Sequence, residues 1–227
     1  MANKRDVNKP KHHSRDVFHA WMLEGASYAG PLDMPVLEPV HVRPNRLVAF
    51  SDAMDPSWKD FDCFVHFFED DSAIERFWHN PRAYIPKLEK FDGVIGPDYS
   101  VCWDFPVPLK EWNHFRNSAS TYWFQQKGLI AVPQGRCEPG NYLSVLAGFP
   151  KHSAIAIGAR SMVRRREDRA VLKESVMLIV DYLEPTCLIW YGSTMYGVAD
   201  YPLSKGIPVY VYPGKGRGKL TSHKEAC

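Results

Sequence analysis

Asp98 is the residue whose position first invites chemistry. It follows Gly96-Pro97 at the end of an apolar run, where the backbone must turn sharply. A carboxylate held there can serve as general base, nucleophile or metal ligand. It can also close the turn by accepting N–H groups near Ser100. Asp71 stands after an earlier apolar run and, with Ser100, completes the candidate catalytic set. The carboxylates of Asp70, Asp71 and Asp98 could together hold a divalent cation, but no spacing demands one and no cofactor is expected.

Arginines supply the opposite charge. Arg136 and Arg160 each follow an apolar run, and a guanidinium fork fits a phosphate or carboxylate bidentately. Either could instead pair with Asp98 itself. Gln134 precedes Arg136, and Ser193 lies in Gly192-Ser193-Thr194, a glycine- and hydroxyl-rich turn of the kind that cradles phosphate. Arg164, Arg165 and Arg166, with Arg169, form the densest basic run between the termini. At a helix start this run opposes the macrodipole. Glu167 and Asp168 offset part of that, and an anionic partner would offset more; a solvated face is the plain alternative.

Familiar motifs are missing. The chain has no P-loop lysine, no G-x-G-x-x-G after a strand, no G-x-S-x-G elbow and no H-E-x-x-H frame among its 9 histidines. His66 alternates within a strand run and reads as a core histidine or one supporting a site. The 5 cysteines include no pair at two-residue spacing, which leaves a zinc knuckle or redox pair unsupported and fits reduced thiols in a cytoplasmic protein.

These residues need a scaffold that collects strand ends. Apolar runs at 46–50, 63–68, 94–95, 129–132, 154–157, 187–191 and 208–212 alternate with helical patterns, of which 108–127 and 166–183 are the clearest. Pro108 opens the first of these and Gly128 stops it; Pro185 bounds the second. Asp70 or Asp71 is placed to cap a helix carrying Ile74, Phe77 and Trp78, which Pro81 and Pro86 interrupt. Such alternation implies an α/β fold whose sheet of about six to seven strands is predominantly parallel and covered on both faces. The expected form is an irregular (β/α) barrel, with an open doubly wound sheet as the alternative. In both, right-handed crossovers bring every strand's C-terminal end to one edge, where ligands bind.

The expected organisation is a basic tail at 1–15, one domain at 16–213 with an extended, proline-rich arm at about 25–45, and a Gly/Lys/Arg-rich flexible tail at 214–227. Residues 1–16 hold five basic against two acidic side chains, and 215–227 four against one, in a chain of net charge +2. The body is therefore mildly acidic between basic ends, which can lean on a phosphate backbone or merely solubilise. No apolar run approaches the roughly 18 residues that span a bilayer.

Several stretches together resemble one family. They are Leu23-Glu24-Gly25 with Met34-Pro35, the segment 65–71 (VHFFEDD), the segment 91–100 (FDGVIGPDYS), Trp112-Asn113 with Arg116-Asn117, Ala156-Ile157-Gly158, and Tyr191-Gly192-Ser193. This pattern is similar to the bacterial and phage family catalogued as a domain of unknown function, number forty-four seventeen. The resemblance runs from about Val17 to Tyr212 and is most specific around Asp98. It implies a role on phages, plasmids or integrative elements and brings no assigned activity. The chain departs from the family at Pro133-Gln134-Gly135-Arg136, where an aromatic-bearing segment is usual.

Three function classes follow. The protein binds nucleic acid or nucleotide phosphate at the strand-end edge, through that edge, its basic tails and the 164–169 run, and acts on it if Asp98 is catalytic. Alternatively it is a non-catalytic interaction module presenting aromatics such as Trp58 and Trp103 to a protein partner. The third class is a small-molecule enzyme.

Overall fold

A computed structural model describes residues 16–214, 221–222 and 224–225. The expected tail at 1–15 and the glycine-alternating stretch at 215–218 lie outside the described residues.

The described residues open with a 3-10 turn, Ala20–Leu23, before which Asp16 accepts the N–H groups of Phe18 and Ala20. The arm folds into a short antiparallel pair, β1 (Tyr28–Ala29) and β2 (Met34–Pro35). The alternating body follows. It runs β3 (Arg46–Ala49), α1 (Phe50–Ala53), β4 (Phe64–His66), α2 (Asp71–His79), α3 (Ile85–Leu88), β5 (Gly93–Ile95), α4 (Val107–Gln126) and β6 (Ala131–Val132). It continues with α5 (Tyr142–Val145), β7 (Ala154–Gly158), α6 (Arg166–Leu183), β8 (Cys187–Tyr191), α7 (Asp200–Ser204) and β9 (Val209–Tyr212). Two short strands, β10 (Thr221–Ser222) and β11 (Lys224–Glu225), close it.

Parallel pairing runs β3-β4-β5-β6 in one sheet and β7-β8-β9 in a second. One continuous sheet of six to seven strands was the expectation; the ladder instead divides into four and three. Proline has no N–H to donate, and Pro133 follows β6 directly, so the ladder stops there. The sheets meet at one parallel bridge, Gln134 to Ala156. Its hydrogen bonds run from Ala156 N–H to the Pro133 carbonyl and from Gly135 N–H to the Ala156 carbonyl, each at 2.9 Å. At the outer edges β10 pairs antiparallel with β3, and β11 with β9. These residues belong to the stretch that composition assigns to a flexible tail.

Strand pleating sorts the side chains onto two faces. Leu47, Phe64, Ile95, Val132, Ala156, Ile189 and Tyr212, one from each parallel strand, share a single buried cluster. On the opposite faces Val48, Val65, Val94 and Ala131 pack with the residues of α1 to α4. Ile155, Ile157, Leu188 and Trp190 pack with those of α6. Among the described residues no helix is long and apolar enough to cross a membrane.

Candidate functional site

The strand ends open into a cleft of about 600 Å³, walled by the turns after β4, β5, β6 and β7. Asp70, Asp71, Asp98, Ser100, Arg136, Arg160, Arg164 and Arg165 line it, joined by Glu69, Gly158 and Asp168. The β4 and β5 turns carry carboxylates, while the β7–α6 side carries arginines with Asp168 among them.

Asp98 is held between the two walls. Its side chain is 12% exposed, and Arg136 donates to Oδ2 at 3.4 Å. The same guanidinium reaches the Gly158 carbonyl at 3.4 Å. The reading of Arg136 as Asp98's own partner is therefore the one the geometry adopts. Oδ1 is buried without a hydrogen-bond partner among the described residues. Burial raises the Asp98 pKa above the ordinary carboxylate value; the Arg136 charge opposes this and neighbouring Asp71 adds to it. Gly158 leaves the room: a Cβ there would lie 2.8 Å from Asp98 Oδ2 and 2.7 Å from Phe68 Cδ1.

Asp98 does not close its own turn. Asp71 does so, accepting the Ser100 N–H and hydroxyl, both at 3.1 Å. Asp71 is also not a cap: α2 starts after Asp70 with no side-chain hydrogen bond at that end. The other half of the clamp comes from α4. Asn117 Oδ1 accepts the Tyr99 N–H at 2.9 Å, and Asn113 Nδ2 donates to the Ser100 carbonyl. Arg116 donates to Asn113 Oδ1 at 2.8 Å, pairs with Glu75 at 2.9 Å and lies 3.8 Å over the Tyr99 ring. Spacing of three and four residues puts all three side chains on one helix face. Gly96 lets α4 come this close, because a Cβ there would overlap Thr121 Oγ1.

Sequence placement and structural placement differ at four candidates. Gln134 is buried at the bridge between the sheets, its amide turned to the Gly135 carbonyl. Ser193 does not line the cleft; its hydroxyl accepts the Met195 N–H at 3.1 Å. Arg166 opens α6, exposed and away from the cleft lining. Arg169 folds back onto its own turn, donating to the Val163 and Arg164 carbonyls and lying 4.3 Å over the Tyr196 ring. Trp58 is half-buried: it packs on the core and its indole donates to the Asp60 carbonyl. Trp103 is 73% exposed. The side chains of Arg160, Arg164 and Arg165 are exposed and make no hydrogen bond or ion pair among the described residues. Among those residues no group of three His, Cys, Asp or Glu side chains converges as a cation site would need.

Two histidines sit beneath the strand ends. His66 is packed between Phe68 and Tyr191, and burial together with the Arg160 charge lowers its pKa to about 3. Its Nδ1 accepts the Phe68 N–H at 3.2 Å. His114 on α4 was not anticipated. It lines a second cavity of about 340 Å³ adjoining the cleft, and burial, Arg136 and Lys110 lower its pKa to about 4. Residue type and helical position alone do not mark it, since its neighbours in space come from the turns after β5 and β6.

The raised Asp98 pKa fixes the sign of one prediction. The native state favours the protonated acid, so its contribution to stability is fully present below the unfolded carboxylate pKa and is lost as pH rises through the native one. Asp98→Asn removes that dependence. Thermal unfolding is expected to show the variant melting above the wild type at pH 7, with the gap closing towards pH 3. A variant less stable at pH 7 would mean that ionised Asp98 is a net support.

A family model described as a domain of unknown function (DUF4417) matches residues 26–204. The chain is similar to a curated "Gene 1 protein" of Mycobacterium phage D29, at 25% identity over 148 residues. That alignment covers 64% of this chain and 55% of the phage protein, so the chain spans little more than half of that relative's length. No solved structure matches.

Proposed function

From the premise that this chain belongs to the DUF4417 family, a domain of unknown function, we propose that it is a mobile-element protein binding nucleic acid or nucleotide phosphate in the cleft at the strand ends. The observation that carries this reading is the β7–α6 wall. The side chains of Arg160, Arg164 and Arg165 stand there without a hydrogen-bonding or ion-pair partner among the described residues, beside the N-terminus of an 18-residue helix. Three hydrated guanidiniums clustered there repel one another and oppose the macrodipole, which Glu167 and Asp168 offset in part and a bound anion would offset further. Across the cleft, Asp98 is a buried acid able to hold a proton near a bound phosphate ester or base. The similarity to a phage protein supports the mobile-element setting.

The scaffold in this reading is one barrel-like wall. The Gln134–Ala156 bridge on one side and the antiparallel partners of β3 and β9 on the other support it, as does the shared cluster drawn from all seven parallel strands. A cleft at the C-terminal ends of those strands is where such a wall binds ligands.

The test is binding of a fluorescent single-stranded oligonucleotide, followed by anisotropy between 50 and 200 mM salt. Three guanidinium–phosphate contacts predict a log–log salt slope of about −2 from the cleft, at roughly 0.7 per contact. Absence of binding at 50 mM salt, of this oligonucleotide and of nucleoside monophosphates alike, would end this reading.

A further inference from the structure

The phosphate cleft does not end at Arg136. It shares Ser100, Arg136, Gly158, Arg165 and Asp168 with the second cavity, which runs inward between the β5–α4 turn and α6. The two spaces differ in character. The outer one is walled by charged side chains. The inner one is mixed: Ile157, Leu172 and Val176, which are buried, and Met162 and Val171, which are half-buried, give it apolar faces, while Glu138 and Ser175 add polar groups. At its side sits His114, 6% exposed, whose ring nitrogens make no hydrogen bond among the described residues.

Resting on the proposed phosphate site, we infer that the inner cavity seats the nucleobase of a nucleotide whose phosphate occupies the outer cleft. The occupant must be anionic at one end and offer apolar faces at the other. That inner end must also carry a hydrogen-bonding edge, because His114 offers one donor and one acceptor in the cavity wall. A ring that offered nothing to it would leave those nitrogens desolvated and unpaired. A heterocyclic base meets both demands, with faces for Leu172 and Val176 and an edge for the imidazole. The ribose then passes Arg136 and Gly158 at the shared doorway. The volume of about 340 Å³ is at the lower end for small-ligand pockets and suits one base with its sugar. The same chemistry could come from a free mononucleotide or from the end of a strand.

The experiment compares wild-type affinities for inorganic phosphate, ribose 5-phosphate, the four ribonucleoside 5′-monophosphates and a 5′-phosphorylated trinucleotide. At least one monophosphate is expected to bind about tenfold or more tighter than ribose 5-phosphate, the increment of one buried, stacked base. Val171→Trp, which fills the cavity from its half-exposed wall, is expected to erase that increment and leave ribose 5-phosphate binding unchanged. If the variant fails to fold, the wild-type series decides alone. Equal affinity for ribose 5-phosphate and every monophosphate overturns the base site and leaves the phosphate cleft standing. No binding of any probe, oligonucleotides included, overturns both. A trinucleotide that keeps the increment identifies a strand end as the source; one that loses it identifies a free nucleotide. A trinucleotide that binds while no monophosphate exceeds ribose 5-phosphate also overturns the base site.

Discussion

Replacing Arg160, Arg164 and Arg165 together with alanine is expected to weaken oligonucleotide binding about 100-fold at 50 mM salt and to leave the melting temperature nearly unchanged. Each is exposed, and none makes a side-chain hydrogen bond or ion pair among the described residues whose loss would cost stability. Each hydrogen bond to a charged phosphate is worth roughly 1.5–3 kcal/mol, and three contacts to neighbouring phosphates add to less than their sum. The salt slope should fall by about 2, because three contacts are lost at about 0.7 each. The comparison also separates the cleft from the basic termini. If the triple variant keeps the wild-type affinity and slope, binding belongs to residues 1–15 and 215–227, and the cleft has no part in it.

Arg116→Ala is expected to be the most damaging single change near the site. Its side chain is 10% exposed, and it joins Glu75 on α2, Asn113 on its own helix and the face of Tyr99. Truncation leaves Glu75 and the Asn113 oxygen without their partner. Breaking a buried pair costs about 3–5 kcal/mol, and because Glu75 is about a third exposed the lower end applies. A chain of this size loses about 2–4 °C per kcal/mol, so unfolding by circular dichroism should come about 6–12 °C earlier. Arg116→Lys keeps the charge but not the fork, and should fall between the two. A melting temperature within 2 °C of wild type for Arg116→Ala would show that α4 does not hold the Asp98 turn in this way.

Much of the scaffold is legible in the sequence because local signals agree there. Residues 166–183 carry an uninterrupted apolar stripe bounded by Pro185, and α6 occupies those positions. The apolar runs at 154–157 and 187–191 become β7 and β8 within one residue, since buried parallel strands need nothing but continuous apolar sequence. Asp98, Arg136 and Arg160 share a cleft because crossovers of one hand bring their strand ends to one edge.

What stays hidden is decided by partners distant in sequence. Nothing near Asp71 announces that it will tie down Ser100, 29 residues away, rather than cap its own helix. Asn113, Arg116 and Asn117 are visible as a polar face, and by pattern alone a polar face belongs in solvent. Here it is buried because an entire turn lies on it and uses each of its groups. The split of the sheet follows from Pro133, a single residue that closes an otherwise ordinary apolar run. Thr221–Ser222 and Lys224–Glu225 carry no apolar alternation, so only the open edges of β3 and β9 reveal them as strands.

The central claim is that phosphate enters between the Asp98–Arg136 pair and the β7–α6 arginines. Amide chemical shifts of the full-length, ¹⁵N-labelled chain, titrated with a 5′-phosphorylated oligonucleotide, test it most directly. The account predicts that the largest shifts fall on Ser100, Gly158 and residues 160–165. Shifts confined to the two basic termini, with those amides unmoved at saturation, would contradict it.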